Sequence, residues 1–480
     1  MLEVIKAYDP FVENGQGHAN QRIRYLWWVF IPLLFSAWGA INLRNTWFFY
    51  DEWGVIGYEM TRSVRSGLIF NLNGHLWIEN FLLYRIQVLG FGLQSHLFIE
   101  IVFLISLLSL QLSLAWLLRT AKVPVVVSLL LAGAVVYMPG AWTNSLFAVQ
   151  IANTSAFAFG IIAMAISVRF RSNHSRSLVA VLLVLSVVCD SGTATALLVM
   201  VATAICLLQG LRYLWPTIPA AVILCWWYLT ANLNPSSPGT FGHRVVVASE
   251  LLPRSLGAFL GIQVADQFLA GLVLLILIAL CVGWAIKKDL LSATDRSLLI
   301  AGLLGTAIFV LAIAQSRAGL IGANWTTWNR YLGQIDIPFS IAVTPALHRL
   351  AKDVAAQRQL SRKISTILAL GIPVVLIAVF ACGVINLRSP IETPFIQENI
   401  DVHHDIESAL VVINEGCPAK TSLSINAAPA ASLSPQVEVW LLQLLIHQGK
   451  IHPDSGAQPD PAVTARICTP IIFPKSHTQP

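Results

Sequence analysis

The chain has 480 residues, of which 56% are hydrophobic and only 11% are charged, and its mean hydropathy is +0.70. Soluble domains carry about 25% charged residues, so this composition excludes an ordinary water-soluble enzyme. The long apolar runs exclude a disordered chain and a coiled coil, and they indicate a polytopic membrane protein. The net charge of +6 does not by itself indicate nucleic-acid binding, because the cations must first be located.

Eleven apolar segments are long enough, or nearly so, to cross about 30 Å of hydrocarbon as helices. The sequence therefore predicts an all-α polytopic membrane protein with about 11 transmembrane helices. The predicted spans are 25–42, 97–118, 123–139, 146–168, 177–190, 192–208, 213–230, 267–286, 297–316, 335–351 and 364–386. One long run is divided at Asp190-Ser191-Gly192, because a charge beside glycine is typical of a tight turn at a membrane face.

The distribution of lysine and arginine predicts the orientation of these spans. With the N-terminus in the cytoplasm, 17 Lys and Arg residues lie inside. Eight lie outside before the C-terminal tail, and all eight are arginines, whose planar fork suits phosphate or carboxylate binding. The basic charge is therefore mainly a topology signal, and we expect no nucleic-acid partner.

Residues 1–386 are predicted to form the transmembrane domain. Its first outer loop, 43–96, is too long for a simple linker and is rich in tryptophan and other aromatic residues. The patterning predicts two interfacial amphipathic helices in this loop, over 55–66 and 76–93, the second with Glu79 on its polar face.

After the last span, residues 387–480 lose the apolar runs and gain Pro, Asp, Glu and His, which predicts a small extracytoplasmic C-terminal domain or tail. Cys417 and Cys468 would then lie in an oxidising compartment. We expect a disulfide between them, the alternative being two free thiols. His403-His404-Asp405 is a weak metal-site candidate, because adjacent histidines on a short element do not normally reach one ion from the same face.

Two adjacent carboxylates, Asp51 and Glu52, follow the first span among aromatic residues. One of them could act as a general base toward a hydroxyl group, or the pair could hold a divalent cation. The alternative is an acidic pair that only marks the water boundary. About twenty residues later, His75 could bind a sugar hydroxyl or orient Asp51, or it could cap a helix that starts at Leu76.

A second group of candidates precedes the tenth span on the outer side. Arg330 could hold a lipid phosphate while Tyr331, Trp325 or Trp328 stacks on a sugar or an isoprenoid chain. The alternative is that these side chains only anchor the protein in the headgroup region. Arg85 is a weaker candidate for the same phosphate.

Three polar residues lie in or beside spans. Glu100 is costly in lipid and is expected to face the protein interior, as a structural hydrogen-bonding partner or as part of the site. Asn153 is expected to make a hydrogen bond between helices. For Asp190, a structural role and a role in the site both stay open.

The order of the short motifs resembles the GT-C superfamily of membrane glycosyltransferases, which includes the protein mannosyltransferases and the aminoarabinose transferases. The resemblance covers about residues 20–386. Its motifs are Asp51-Glu52, Asn73-Gly74-His75, Tyr84-Arg85 to Gly90-Phe91-Gly92-Leu93 leading to His96, Gly140-Ala141-Trp142 leading to Gln150, and Asn329-Arg330-Tyr331.

The resemblance implies inverting transfer of a sugar from a polyprenyl-phosphate donor to an acceptor hydroxyl on the outer face. Asp51 matches the position of the catalytic base, with Glu52 as its neighbour. Many members of the superfamily separate their acidic residues, whereas these two are adjacent, so both remain candidates for the base.

The resemblance and the compact loops predict an integral protein of the bacterial inner membrane, N-terminus cytoplasmic and C-terminus extracytoplasmic, with the eukaryotic endoplasmic reticulum as the other compartment. The expected partners are a polyprenyl-phosphate sugar, a glycan, lipid or protein acceptor, and membrane lipids. No cofactor is required, although a divalent cation could bind. The alternative functions are a transporter or flippase for an envelope lipid or glycan, and a non-catalytic assembly factor for the envelope.

Overall fold

The fold is given by a computed structural model. It describes residues 18–43, 46–48, 51–69, 71–72, 74–138, 146–231, 239–321, 330–357, 376–382, 384, 393–430 and 437–470.

Helices form most of the described chain. They are α1 (His18–Leu43), α2 (Asp51–Thr61), α3 (Val64–Gly67), α4 (Ile78–Ile86), α5 (Leu97–Thr120), α6 (Val125–Val136), α7 (Ile151–Arg169), α8 (Asn173–Cys189), α9 (Ser191–Gln209), α10 (Ile218–Thr230), α11 (Phe241–Phe259), α12 (Gln267–Lys287), α13 (Ala293–Ile321), α14 (Arg330–Gln357), α15 (Thr393–Glu415), α16 (Val439–His447) and α17 (Pro461–Ile467). Strand β1 (Asn71–Leu72) pairs antiparallel with β2 (His75–Leu76), and β3 (Thr421–Leu423) pairs antiparallel with β4 (Cys468–Pro470).

The prediction of a helical membrane protein is confirmed. Each of the first ten predicted spans coincides with a helix. Within the described part of the chain, six helices are long and apolar enough to cross a membrane: α1, α5, α7 with the turn before it, α9, α12 and α13. Helices α6 and α8 are apolar but shorter. The eleventh predicted span, 364–386, lies largely outside the described residues, and the number of crossings stays a prediction.

Helix α11 lies between the seventh and eighth predicted spans, where hydropathy predicts no membrane-crossing segment. It packs along α12 as a helical hairpin. Glycine permits the close approach, because a Cβ atom at Gly271 would overlap the carbonyl oxygen of Pro253. Hydropathy did not reveal this helix because its residues are mixed in polarity and Pro253 lies within it.

The first outer loop contains the expected helices with different boundaries. Helix α2 starts at Asp51, so both acidic residues lie in its first turn, where the helix dipole favours negative charge. The second helix begins at Ile78 rather than Leu76, because the hairpin of β1 and β2 precedes it. Gly74 has φ +90° in the turn, and its N–H donates to Asn71 Oδ1 at 2.8 Å.

Contacts between segments that are far apart in sequence divide the described helix ends into two groups, one at each end of the helical bundle. The site end comprises the described residues within 46–96 and 393–470 together with the starts of α7 and α9. The basic end comprises the end of α5, the start of α13 and the last turns of α14. There, Arg349 Nε donates to Asp295 Oδ2 at 2.9 Å. Which of the two ends faces the cytoplasm stays a prediction.

The C-terminal residues pack on the first outer loop. The N–H of Trp47 donates to Asn399 Oδ1 at 2.8 Å, and the N–H of Leu93 donates to the carbonyl oxygen of Lys450 at 2.8 Å. The expected disulfide between Cys417 and Cys468 is confirmed. It joins the end of α15 to β4 and therefore crosslinks the C-terminal segment that packs on the first outer loop.

Candidate functional site

The predicted acidic pair lies in a buried group at the site end, here called the Glu52 cluster (Asp51, Glu52, Tyr84 and His96). Asp51 and Glu52 expose 4% and 1% of their surfaces. The Tyr84 hydroxyl donates to Glu52 Oε1, and His96 Nε2 lies 2.9 Å from the same oxygen. Glu52 is thus engaged by two side chains from other parts of the loop.

Burial and neighbouring charges shift the pKa values of His96 and Tyr84, two side chains that contact Glu52. Burial alone would lower the pKa of His96, but the charge of Glu52 and the neighbouring Glu100 raise this pKa to about 9. His96 Nδ1 lies 3.4 Å from Glu100 Oε1, so the ring lies between two carboxylates as an imidazolium. Burial, together with the charges of Glu52 and Asp51, raises the pKa of Tyr84 well above its ordinary value. Tyr84 is therefore a hydrogen-bond donor.

A second group lies at the turn between α8 and α9 and is here called the Asp190 cluster (His75, Trp77, Asn153, Asp190 and Thr193). The predicted break of the long apolar run is confirmed, because α8 ends at Cys189 and α9 begins at Ser191. The Asp190 side chain accepts from the backbone N–H groups of Gly192 at 3.1 Å and Thr193 at 3.3 Å. Asp190 is therefore an N-cap of α9.

The same carboxylate accepts from four side chains, which lie on β2, α7 and α9 and in the residue between β2 and α4. They are His75 Nδ1 at 2.6 Å, Trp77 Nε1 at 3.3 Å, Thr193 Oγ1 at 2.5 Å and Asn153 Nδ2 at 3.3 Å. Burial would raise the pKa of Asp190, but the charge of His75 and these hydrogen bonds hold it well below its usual range. The expected interhelical role of Asn153 is confirmed.

His75 is the exposed member of the Asp190 cluster. Its side chain exposes 34% of its surface, while Asp190 exposes 3%. A Cβ at Gly192 would lie 2.5 Å from His75 Cε1, so glycine leaves room for the ring. The interpretation of His75 as a helix cap is wrong, because His75 lies in β2. Its described partner is Asp190 rather than Asp51. The ring is held at Nδ1 and presents its remaining surface outward.

Two of the other predicted binding residues, Arg85 and Tyr331, belong to neither cluster. Arg85 Nη1 donates to Glu59 Oε2 at 3.0 Å, and burial raises the pKa of Glu59 to about 7 although Arg85 opposes this rise. Tyr331 is buried in the first turn of α14, which begins at Arg330. Trp325 and Trp328 lie outside the described residues. A substrate-binding role for these residues stays a prediction.

Sequence reasoning missed Glu79, which it placed on the polar face of an amphipathic helix. In the structure Glu79 lies against Cys189 and Ser155, and burial raises its pKa. The helix that carries it, α4, also carries Tyr84, so α4 links the two clusters. Nothing in the local pattern distinguishes a buried carboxyl from an exposed one, because the helices that cover Glu79 come from residues more than seventy positions later.

A potential metal-binding group differs from the weak candidate in the sequence. His403, Glu407 and Asp454 offer ligand atoms within 4.8 Å of one another. His403 and Glu407 are four residues apart on α15 and share a face, whereas Asp405 pairs with Arg466 at 3.0 Å. A site formed by His403, His404 and Asp405 is therefore not supported.

Comparisons of the chain with protein-family models, with curated proteins and with solved structures found no match.

Proposed function

We propose that this protein is an integral membrane glycosyltransferase that moves a sugar from a polyprenyl-phosphate donor to an acceptor hydroxyl at the site end. One observation carries the proposal. The same end of the helical bundle holds a buried acidic pair and, separately, a histidine anchored by a buried carboxylate. The first is suited to proton abstraction and the second to binding an anionic leaving group.

Inverting transfer needs both activities. The acceptor oxygen attacks the anomeric carbon, its proton passes to a carboxylate, and the bond from that carbon to the phosphate oxygen breaks. The polyprenyl phosphate leaves with the electron pair, and a nearby donor stabilises its charge. A departing monophosphate does not demand a metal ion, although a divalent cation at the acidic pair is compatible with this reaction.

We assign the base to Asp51. Glu52 accepts a hydrogen bond from the Tyr84 hydroxyl and lies 2.9 Å from His96 Nε2, so two side chains already hold it in place. Glu52 is then the residue that positions its neighbour. Asp51 exposes only 4% of its surface, so an acceptor hydroxyl reaches it when neighbouring side chains move.

We assign His75 to the phosphate of the donor. A histidine held at Nδ1 by a carboxylate can donate from its other nitrogen to an anionic oxygen. Arg330 and Tyr331 at the start of α14, together with Trp325 and Trp328, remain candidates for further contacts to the phosphate and the isoprenoid chain. Arg85 is a weaker candidate because it already pairs with Glu59.

The proposed location follows from the donor chemistry. In this proposal the site end faces the outside of a bacterial inner membrane, with the N-terminus in the cytoplasm. Nucleotide sugars are not available there, so the activated sugar must be carried by a membrane-anchored lipid phosphate. Glycans, lipids or proteins exposed at that surface are the candidate acceptors.

The direct test replaces Asp51 with Asn. Purified full-length protein in nanodiscs receives radiolabelled polyprenyl-phosphate mannose or aminoarabinose together with envelope extract as the acceptor. Asp51→Asn should reduce transfer about a thousandfold, the range of general-base contributions. The control is Asp266→Asn, an exposed carboxylate outside both clusters, which should leave transfer unchanged.

A second variant separates the roles. His75→Gln should mainly raise the apparent KM for the lipid-linked donor, whereas Glu52→Gln should mainly lower kcat. Transfer that survives in both Asp51→Asn and Glu52→Gln would refute a carboxylate base. Wild-type protein that moves the labelled lipid across a vesicle membrane without transferring sugar would show a flippase instead.

A further inference from the structure

A large cavity lies away from both clusters and opens toward the basic end. It has a volume of about 1010 Å³ and lies between the α5–α6 turn, α6, α11, α12 and α14. Its walls are mostly aliphatic and aromatic, with Val127, Leu131, Phe259, Ile278 and Val343 among them. This volume is at the upper limit for sites of drug-sized ligands, and the lining suits a long apolar chain.

One part of the cavity wall is cationic. Arg119 at the end of α5, Lys122 in the following turn and Lys352 near the end of α14 all line it. Lys122 and Lys352 are exposed, and Arg119 also donates from Nη1 to the carbonyl oxygen of Val123. An apolar cavity bordered by cations matches the chemistry of a lipid with a phosphate headgroup.

No carboxylate lies beside these cations among the described lining residues. The one carboxylate in the wall is Asp336, sixteen positions before Lys352 on α14. At 1.5 Å per residue, this places the two about 24 Å apart along the helix. Asp336 accepts from the Ser255 hydroxyl, and Asp295 at the basic end pairs with Arg349.

We infer that this cavity binds a glycerophospholipid of net negative charge. Its phosphate would lie at Lys122 and Lys352, and its acyl chains would extend between α6, α12 and α14 toward Asp336. A zwitterionic lipid has a phosphate too, but its ammonium group would lie beside the same cations. The inference does not depend on glycosyl transfer, because the cavity lies at the opposite end from both clusters.

The test measures which lipid the full-length protein retains. Protein is reconstituted in nanodiscs that contain equal amounts of phosphatidylglycerol and phosphatidylcholine, released into detergent, and examined by native mass spectrometry. Wild type should retain phosphatidylglycerol about tenfold over phosphatidylcholine. The double substitution of Lys122→Gln with Lys352→Gln should remove most of this preference, because each lysine near an anionic headgroup contributes to binding.

Lys287→Gln with Lys288→Gln is the matched control, since both lysines lie at the basic end but do not line the cavity. This control should keep the wild-type preference. Ser340→Trp, which fills the cavity, should abolish retention of either lipid. Equal retention of both lipids by wild type, or an unchanged preference in the Lys122 and Lys352 variant, would overturn the inference. Retention by Ser340→Trp would place the lipid on the outer surface instead.

Discussion

The Glu52 cluster and the Asp190 cluster each pair a buried carboxylate with a histidine, yet the two pairs differ in which partner is exposed. In the Glu52 cluster both groups are buried, and the pKa of His96 is raised to about 9. In the Asp190 cluster the carboxylate is buried and its pKa is lowered, while one third of the His75 side chain is exposed.

The difference lies in the donors around each carboxylate. Asp190 accepts from two backbone N–H groups and four side chains, so its negative charge is shared among six donors. The donors to Glu52 include the Tyr84 hydroxyl, and His96 Nε2 lies 2.9 Å from the same oxygen, where the charge of Glu52 opposes the effect of burial and raises the pKa of the ring. The comparison teaches that Asp190 is a structural anchor for an exposed ring, whereas Glu52 and His96 depend on each other.

The largest expected effect tests Asp190 as an anchor. Asp190→Ala removes the acceptor for all of its donors and the N-cap of α9, and it should lower the free energy of unfolding by about 4 kcal/mol. Thermal unfolding in detergent measures this change. Asp266→Ala, which removes an exposed carboxylate, should change stability by less than about 0.5 kcal/mol. A similar small loss for Asp190→Ala would show that its hydrogen bonds do not stabilise the fold.

The next effect tests the mutual dependence of Glu52 and His96. The pKa of His96 is raised from 6.5 to about 9, so the folded state binds a proton more tightly than the unfolded state. This contribution is fully present below about pH 6.5 and is lost as the pH rises through about 9, with an upper size of about 3 kcal/mol. Unfolding measured from pH 6 to 10 should show the loss, and His96→Gln should flatten it.

The titration of Glu59 affects the free energy of unfolding over a lower pH range. Burial raises its pKa to about 7, so its contribution to stability falls as the pH rises from about 4.5 to 7. The loss assigned to His96 begins near pH 6.5 and extends to about pH 9, so most of it lies above this range. A loss above pH 7 that persists in His96→Gln would therefore have to come from another group and would contradict the assignment.

A smaller effect compares two buried tyrosines. Tyr84→Phe removes a hydrogen bond to an ionised acceptor and should cost about 2 kcal/mol, whereas Tyr137→Phe removes a bond to the Ser36 hydroxyl and should cost about 1 kcal/mol. Chemical denaturation of both variants gives the difference. Equal losses would indicate that Glu52 is not charged in the folded protein.

The smallest effect examines redundancy in the Asp190 cluster. Thr193→Val removes one side-chain donor to Asp190 and the acceptor of Asn153 Nδ2, but the other donors remain. We expect a loss of about 1 kcal/mol in unfolding experiments. Loss comparable to that of Asp190→Ala would mean that Thr193 alone holds the carboxylate in place.

Much of the fold follows from patterns along the chain. Apolar length predicted the helices of the first ten spans, and Asp190 beside Gly192 predicted the break between α8 and α9. The pairing of Cys417 with Cys468 followed from their common segment. These features depend on neighbouring residues, whose hydropathy and capping preferences act over one or two helical turns.

Only the tertiary structure decided which polar groups meet. His75 and Asp190 are 115 residues apart, and Glu52 lies 44 residues from His96, so no local pattern could pair them. Likewise, helix α11 depends on its close contact with α12, and the burial of Glu79 depends on α7 and α8. Hydropathy along the chain indicates how deep a residue lies in the membrane, but it does not indicate which residue of another helix lies beside it. Those contacts are determined by how the helices pack.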